Sequence, residues 1–182
     1  MEKFNSEVSH VLVSAEEIDG ITSALAERID KDFEGKNLVL LGILKGSVPF
    51  MSDLMRKITI PAELEFMKVS SYGSGTQTTG VLNIHLDVLR SDLSNCDILV
   101  IEDIVDSGRT LKKVVAHLLS KGARSVKTCT LLDKPSRREV EFEADYVGRE
   151  VPDYFVVGYG LDYDEKYRTL PYIGIPDFAF DK

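Results

Sequence analysis

Short apolar runs alternate with amphipathic segments along this chain of 182 residues. Leu38–Leu44 (LVLLGIL) and Asp97–Ile101 (DILVI) are apolar almost throughout. Such runs predict strands that are buried on both faces, as in a parallel sheet. Weaker patterns predict further strands at His10–Val13, Ala62–Val69, Val81–Leu86, Ser125–Leu132 and Tyr154–Val157.

Three segments carry apolar residues at helical spacing. Ser14 and Glu17 form a capping-box pattern at the start of the first helix, and Gly35 marks its end. The patterns of Pro49–Lys57 and Leu111–Ser120 predict two more helices. The apolar face of the first helix consists of Ile18, Ile21, Leu25 and Ile29.

Strands that alternate with helices predict an α/β fold, with a mainly parallel sheet flanked by helices. No internal repeat or linker interrupts the pattern, so residues 1–182 are predicted to form a single domain. In such folds ligands bind beyond the carboxyl ends of the strands. The loops that follow Leu44, Ile101 and Leu132 leave such ends and are therefore the candidate site.

The composition is that of an ordinary globular protein with an acidic balance. Lys and Arg number 22 and Asp and Glu 30, so the formal net charge is −8. A chain of this charge without a basic patch is a poor candidate for binding nucleic acid or an anionic membrane. The same charge disfavours a polyphosphate ligand unless a cation accompanies it.

The cysteines and the apolar segments bear on the cellular compartment. Cys96 and Cys129 stand alone, without the spacing of a zinc site or a disulfide framework, which favours a reducing cytoplasm. No segment approaches the ~18 consecutive apolar residues of a membrane span. The amino-terminal residues MEKFNSEVSH lack the apolar core of a signal peptide. We therefore expect a cytoplasmic protein.

The segment Ile98–Thr110 (ILVIEDIVDSGRT) carries the most specific chemical signal. A buried strand delivers the adjacent acids Glu102 and Asp103 to the edge of the sheet, where carboxylates can bind sugar hydroxyls or a divalent cation. A turn with Gly108 then leads into a helix. Free N–H groups at a helix start, with nearby hydroxyls, form a cradle suited to a phosphate monoester. The turn consists of Asp106, Ser107, Gly108, Arg109 and Thr110.

This segment closely resembles the phosphoribosyl-pyrophosphate (PRPP) signature of the type I phosphoribosyltransferases. Four flanking motifs resemble those of the hypoxanthine-guanine members of that family, and they follow in the family's order. Together the five motifs span nearly the whole chain. The flanking motifs are LLGILKGSVPF at Leu40–Phe50, VSSYGSGT at Val69–Thr76, LLDKPSRR at Leu131–Arg138 and VPDYFVVGYGLDYDEKYRTLPYIG at Val151–Gly174.

The resemblance implies purine salvage. The 5-phosphoribosyl group of PRPP passes to hypoxanthine or guanine, which gives IMP or GMP and releases pyrophosphate, with Mg²⁺ as the cofactor. It implies that Asp106–Thr110 hold the 5-phosphate and that Asp106 also accepts a proton at the purine N7. It implies that Glu102 and Asp103 face the ribose hydroxyls and magnesium, with Asp162 near a second magnesium.

The resemblance also assigns the remaining candidate residues. Lys45, Gly46 and Arg168 correspond to pyrophosphate ligands, and the peptide bond before Lys45 is often cis in the family. Ser71 and Tyr72 correspond to a flap that closes over the site. The purine site corresponds to Lys134, which contacts the 6-oxo group, Phe155, which stacks on the ring, Val156, which offers backbone contacts, and Asp162.

Family architecture implies two further features. A small hood is formed by the terminal segments, namely the N-terminal residues and about 134–182. Relatives form dimers or tetramers, so a homodimer or homotetramer is expected.

Two alternatives stay open at this point. The first is a type I phosphoribosyltransferase for adenine, orotate or xanthine-guanine. Lys134 and the Phe155–Val156 pair favour a 6-oxopurine, and hypoxanthine versus guanine, with weak xanthine use, stays open. The second is a regulatory relative that binds nucleotide and RNA without catalysis. Asp106, a base at the matching position of the motif, favours an enzyme.

Overall fold

The computed structural model describes residues 8, 10–71 and 82–180. Three helices, eight strands and two short 3₁₀ helices follow one another in the described residues. The helices are α1 (Ala15–Phe33), α2 (Val48–Lys57) and α3 (Arg109–Ser120), and the 3₁₀ helices are Pro135–Arg137 and Asp177–Ala179. The strands are β1 (His10–Val13), β2 (Leu38–Ile43), β3 (Ala62–Ser71), β4 (Leu82–Leu86), β5 (Asp97–Val105), β6 (Ser125–Asp133), β7 (Tyr146–Glu150) and β8 (Ile173–Ile175).

Six strands form one sheet in the order β4-β3-β2-β5-β6-β7. The four pairings from β3 through β7 are parallel, and β4 pairs antiparallel with β3. The continuous apolar runs lie at the centre, and all six residues of β2 are buried. Sequence reasoning therefore predicted the mainly parallel α/β sheet correctly.

Alternate residues of the central strands pack against helices on opposite faces of the sheet. Leu38 and Leu40 of β2 share a core with α1 and α2, whereas Val39 and Leu41 share a second core with α3. The period of two along a strand produces this division. The sheet is thus the middle of three layers. In α1 the predicted capping box is present, since Ser14 and Glu17 each accept the backbone N–H of the other.

The two ends of the described chain meet in a second, two-stranded sheet. β1 pairs antiparallel with β8, and His10 lies opposite Ile175. Through this pairing, the segment after β7 returns to the side of the sheet on which α1 packs. The predicted hood, with its boundary near residue 134, stays a prediction.

Two predictions of local structure were wrong, and two strands were missed. Tyr154–Val157 is not a strand, because the backbone turns after Pro152 and Val157 makes a single bridge to Gly174. β5 continues through Val105 instead of ending at Ile101, because β6 keeps pairing with it up to Asp133. The strands β7 (YVGRE) and β8 (IGI) were missed, since neither carries an apolar run long enough to stand out.

Candidate active site

The candidate site lies where β2, β5 and β6 end side by side. These strands are parallel neighbours, so the chain leaves all three at the same edge of the sheet. The loop after β2 carries Lys45 and Gly46, the end of β5 carries Glu102 and Asp103, and the residue after β6 is Lys134. Topology alone therefore brings together three groups that are far apart in sequence.

The two adjacent acids line a cleft of about 380 Å³. Burial raises the pKa of Glu102 well above its usual value, and the Asp103 carboxylate adds to the rise. Burial also raises the pKa of Asp103 to about 6, against the lowering effects of the Ile104 N–H and of Arg168. The Asp103 carboxylate lies against Gly46, where an added Cβ would come within 1.6 Å of its Oδ2. Any larger residue at position 46 would therefore displace the Asp103 carboxylate.

The loop between β5 and α3 surrounds a second hollow of about 270 Å³, lined by Asp106, Ser107, Gly108 and Thr110 among others. Gly108 stands directly before α3 with a φ of 76°, a conformation that glycine adopts at little cost. The first N–H groups of α3 have no carbonyl partner within the helix. The hollow therefore has the form of the anion cradle predicted from the sequence.

The Arg109 side chain forms an ion pair with Glu139 at 2.7 Å. Glu139 and Asp145 are both exposed, yet each also makes contacts within the chain. The Glu139 N–H donates to the Ser107 carbonyl at 3.1 Å. Asp145 accepts from the backbone and the hydroxyl of Thr128, at 2.8 and 3.1 Å. Both residues therefore help to fasten the segment that follows β6.

Lys134 and Asp106 stand close together at the mouth of the cradle. Lys134 is buried, its Nζ donates to the Tyr154 carbonyl at 2.6 Å, and it lies 3.7 Å from the Asp106 carboxylate. Half of the Asp106 side chain is exposed. The structure thus places the predicted proton acceptor beside the predicted purine contact.

Phe155 is exposed although it is a large aromatic residue. Its ring lies 5.8 Å from the ring of Tyr163, at a right angle, and 5.9 Å from that of Phe178. Val156 beside it is buried. A half-exposed ring held by two others offers a flat face to a ligand. The sequence did not indicate the contribution of Phe178, which comes from the far end of the chain.

Residues 157–170, termed here the distal loop, contain no helix or strand. Three of its charged residues, Asp162, Glu165 and Arg168, form ion pairs with one another or with Lys45. The Asp162 carboxylate binds Arg168 at 2.8 Å and accepts from the Glu165 N–H at 2.9 Å. Lys45 Nζ lies 3.1 Å from both Glu165 oxygens, and Arg168 also contacts Glu165. The structure therefore gathers Lys45, Asp162 and Arg168 as predicted, around an acid that sequence reasoning did not single out.

The distal loop touches the loop after β2 directly. A Cβ on Gly160 would lie 1.9 Å from the Gly46 carbonyl oxygen, and the φ of Gly160 is 98°. Arg168 donates to the Gly160 carbonyl at 2.7 Å. Sequence reasoning missed Gly160. The signal that could have indicated it was its position within the motif Val151–Gly174. The peptide bond between Leu44 and Lys45 is cis.

Tyr72 and residues 73–81 lie outside the described residues. Ser71 closes β3 through its backbone pairing with Leu82. The predicted flap role of Ser71 and Tyr72 stays a prediction.

The acids at the end of β5 suit a magnesium ion that is shared with a substrate. Mg²⁺ prefers oxygen ligands and commonly takes one or two carboxylates, with substrate phosphates and water as the others. Glu102 and Asp103 provide that donor set, and a cation beside them would offset the cause of their raised pKa values. Among residues 10–71 and 82–180, no three His, Cys, Asp or Glu side chains are grouped to hold a metal ion. Asp162, the other predicted ligand, is bound to Arg168.

The fold and this set of loops define a class of protein. The chain belongs to the phosphoribosyltransferase family, since the pattern of the phosphoribosyl transferase domain matches residues 8–164. Within it, the chain is 49% identical to a hypoxanthine-guanine phosphoribosyltransferase of Staphylococcus aureus over 170 residues, or 93% of this chain and 94% of that protein. A crystal structure of a hypoxanthine phosphoribosyltransferase from S. aureus matches with a TM-score of 0.91 and 48% identity, covering 95% and 94% of the two chains. The predicted resemblance and the type I fold are confirmed.

A longer relative is equally similar. The bifunctional protein TilS/HprT of Listeria monocytogenes is 49% identical over 174 residues, which are 96% of this chain. The chain spans only 27% of the length of that relative.

No helix within the described ranges combines the length and the apolar character that crossing a membrane requires.

Proposed function

We propose that this chain transfers the 5-phosphoribosyl group from PRPP to hypoxanthine or guanine, which gives IMP or GMP and pyrophosphate in purine salvage. The observation that carries the proposal is the position of Lys134, 3.7 Å from the carboxylate of Asp106, which in turn lines the hollow before α3. A base and a hydrogen-bond donor at that place match the two polar edges of a 6-oxopurine.

The reaction forms one bond and breaks another at C1′ of the ribose. The purine N9 bonds to C1′ as the bond from C1′ to the pyrophosphate oxygen breaks, and the electron pair leaves with pyrophosphate. The Asp106 carboxylate accepts the proton from N7. Half of that side chain is exposed in the cleft, so its oxygens are accessible to a purine. The purine becomes more acidic as N9 bonds to C1′, which assists proton transfer to a carboxylate.

Lys134 accounts for the choice of a 6-oxopurine. Its ammonium carries three donors, one of which the Tyr154 carbonyl already accepts. Another can bond to the purine O6, whereas the amino group of adenine offers no matching acceptor. Phe155 stacks on the ring, a contact of the kind that contributes roughly 1–3 kcal/mol per base. The backbone of Val156 contacts the purine edge, with Asp162 nearby.

The pyrophosphate and the 5-phosphate of PRPP are bound on opposite sides of Glu102 and Asp103. Lys45, the Gly46 N–H and Arg168 bind the pyrophosphate, and residues 106–110 bind the 5-phosphate. Glu102 and Asp103 hold the ribose hydroxyls and magnesium, and Asp162 contributes near a second ion. Bound magnesium supplies positive charge that neutralises the pyrophosphate. This resolves how a chain with a net charge of −8 can bind a polyphosphate.

The protein is proposed to act as a homodimer or homotetramer. Val48 and Met55 of α2 are exposed large apolar residues, as are Leu64 and Phe66 of β3. Leu64 is aligned with Leu40 of β2, so this face of β3 lies on the same side of the sheet as α2. Exposed large apolar residues grouped on one side of a sheet are typical of a subunit interface. Sedimentation analysis of the purified protein tests this assignment.

A cytoplasmic location is proposed on the chemistry of the two thiols. Cys96 and Cys129 are both buried and free. Burial raises the pKa of the Cys129 thiol far above its usual value, which makes it unreactive. Free structural thiols suit a reducing compartment.

A direct assay tests the reaction. The purified protein is mixed with PRPP and magnesium and with hypoxanthine, guanine, xanthine, adenine or orotate, and the nucleotide formed is measured. We expect turnover of hypoxanthine or guanine and none of adenine. Absence of turnover with both 6-oxopurines would overturn the proposal. RNA binding without turnover would favour the regulatory alternative.

A further inference from the structure

The segment that follows β6 passes beneath the 5-phosphate loop. Residues 138–142, termed here the strap, contact the loop of residues 105–109 at several points. The Glu139 N–H donates to the Ser107 carbonyl at 3.1 Å. A Cβ on Gly108 would lie 3.0 Å from Arg138 Cδ and 3.1 Å from Phe142 Cβ, so these two side chains form the floor of the loop.

Arg138 joins the loop to the end of β6. Its Nη1 donates to the Asp106 carbonyl at 2.5 Å and to the Val105 carbonyl at 3.4 Å. Its Nη2 forms an ion pair with the carboxylate of Asp133, the last residue of β6. The side chains of Arg138 and Asp133 are only 16% and 9% exposed. One rigid, planar group therefore connects the Asp106 peptide to a fixed point of the sheet.

The side of the strap away from the loop offers little support. A groove of about 770 Å³ runs along it, lined by Arg138, Val140, Phe142 and Val147 among others. The position of the strap therefore depends on its bonds to the loop and to β6, on the bond from Lys112 Nζ to the Glu141 carbonyl and on the packing of Phe142 against the second core. Among these, the guanidinium bonds are charge-assisted and mostly shielded from water, which makes them the strongest polar contacts of the set.

We propose that Arg138 is a positioning residue: with Asp133 as its anchor, it holds the Asp106 peptide, and with it the 5-phosphate loop, in the geometry that receives PRPP. The proposal rests on the proposed function. It assigns a role to the last residue of the LLDKPSRR motif, which the reaction scheme above leaves unused. Arg138 touches neither purine nor pyrophosphate in this scheme, so its loss acts on the phosphate end of the substrate.

Three variants separate positioning from packing. Arg138→Met keeps the aliphatic stem against Gly108 and removes the guanidinium. Arg138→Met combined with Asp133→Asn also removes the buried carboxylate that the single change leaves without its cation. Arg138→Lys restores the charge, but an ammonium cannot reproduce the planar fork that reaches both anchors. Arg137→Met is the matched control, since Arg137 is 55% exposed and pairs loosely with Asp153 at 3.6 Å.

Steady-state kinetics provide the first measurement. For the double variant we expect KM for PRPP to rise at least tenfold while KM for guanine stays within twofold of the wild type. KM for PRPP of Arg138→Lys should lie between the values of the wild type and the double variant. Both KM values of Arg137→Met should match those of the wild type. Unchanged KM values for both substrates would overturn the proposal. A parallel rise of both KM values, with a lower Tm and no rescue by lysine, would also overturn it, because it would indicate a merely structural role.

Calorimetric binding of GMP and guanosine provides a second measurement that requires no turnover. The ratio of their affinities isolates the 5-phosphate. We expect the ratio to fall at least tenfold in the double variant while guanosine affinity is unchanged. An unchanged ratio would overturn the positioning role. A wild type that binds GMP but turns over neither 6-oxopurine would overturn the proposed reaction, and the ratio would still decide the role of Arg138.

Discussion

Two regions of the candidate site are held in place by different means. Residues 102–110 include the end of β5, which is hydrogen-bonded to β6 as far as Val105, and the first turn of α3. The distal loop contains no helix or strand and is joined to β8 through the bridge between Val157 and Gly174. Four of its residues other than glycine, Tyr159, Asp164, Glu165 and Tyr167, have positive φ values between 48° and 73°.

This contrast predicts that substitutions in the two regions have different effects. In residues 102–110 the sheet, the helix and the strap hold the backbone through contacts to main-chain atoms, so side chains there can be changed without moving the loop. In the distal loop the geometry depends on a few tight contacts, such as Gly160 against the Gly46 carbonyl and the Tyr159 hydroxyl against Asp53 at 2.5 Å. We therefore expect substitutions in the first region to affect rate, and those in the second to affect structure and substrate binding together.

The largest effect is expected from Asp106→Asn. The amide keeps the shape of the side chain but cannot accept a proton, so kcat should fall by about 10²–10⁴. Tm should be unchanged, because the Asp106 side chain is half exposed and its ion pair with Lys134 is long, at 3.7 Å. Steady-state kinetics and thermal unfolding measure both.

Asp153→Asn is the matched control for Asp106→Asn. Asp153 is exposed to the same degree, 51%, and pairs with Arg137 at a similar distance, 3.6 Å. Its kcat should equal that of the wild type. An Asp106→Asn variant with full kcat would remove Asp106 from the role of base, and one with a lower Tm would contradict the view that the Asp106 side chain does not support this region.

Gly160→Ala should disturb the distal loop by a different route. The new Cβ would meet the Gly46 carbonyl at 1.9 Å, and the φ of 98° is strained for alanine. Strain of this kind costs about 1–3 kcal/mol and overpacking about as much again. Because Gly46 must move, KM for PRPP should also rise, by about tenfold. Chemical denaturation and kinetics test the two effects.

Substitutions at two other glycines separate the loss of stability in Gly160→Ala into backbone strain and steric overlap. Gly122 has a φ of 91° but nothing within 4 Å of an added Cβ, so Gly122→Ala carries the backbone cost alone. Gly20 lies inside α1 with open space around it, and Gly20→Ala should stabilise by roughly 0.5–1 kcal/mol. Equal losses at positions 160 and 122 would show that the contact with Gly46 contributes nothing.

Asp97→Asn tests how the start of β5 supports residues 102–110 at the other end of the strand. Asp97 begins β5, is 4% exposed and pairs with Arg124. The Arg124 guanidinium, followed by the Ser125 hydroxyl, lowers the pKa of the Asp97 carboxyl below its ordinary value of 3.8. Loss of a buried charged hydrogen bond costs about 1.5–3 kcal/mol, so the variant should be less stable at pH 7 with a normal kcat.

The pH dependence of that loss has a definite sign. The carboxyl pKa is lower in the folded than in the unfolded protein, so the ionised form stabilises the fold above the unfolded pKa. This contribution disappears as the pH falls through the folded pKa. The difference in unfolding free energy between wild type and Asp97→Asn should be constant from pH 7 to about pH 5 and shrink below about pH 4. A difference that is constant down to pH 3 would contradict the assignment.

The same contrast explains what could be predicted from the sequence. The end of β5, Gly108 and the start of α3 are contiguous, and local rules for buried strands and helix starts describe them well. The distal loop was read only through the resemblance, because its form depends on positive φ values and on contacts over more than a hundred residues, such as Lys45 with Glu165. The same limit explains the incorrect strand at Tyr154–Val157, whose exposed aromatic residues have the composition of a strand without its pairing partner.

The smallest effect, and the one with the least obvious sign, is expected from Glu165→Gln. Glu165 binds both Lys45 and Arg168, the two side chains proposed to hold pyrophosphate. These cations lower the pKa of the Glu165 carboxyl, Lys45 most strongly, which keeps it ionised. PRPP must therefore compete with a carboxylate for its own ligands. Removal of that charge should lower KM for PRPP two- to fivefold and leave Tm unchanged, since exposed ion pairs contribute little to stability.

Salt and a neighbouring acid make this expectation testable. Competition between charges in an exposed site weakens with ionic strength, so the gain should be largest in dilute buffer and shrink toward about 0.5 M salt. Asp164→Asn removes one charge from the same loop and should not reproduce the gain, because Asp164 forms neither of the ion pairs with Lys45 and Arg168. A rise in KM for PRPP would mean that Glu165 positions the two cations instead of competing for them. In that case the distal loop, like the Arg138 strap, would support the site through its ion pairs. The two regions would then differ only in how their backbones are held.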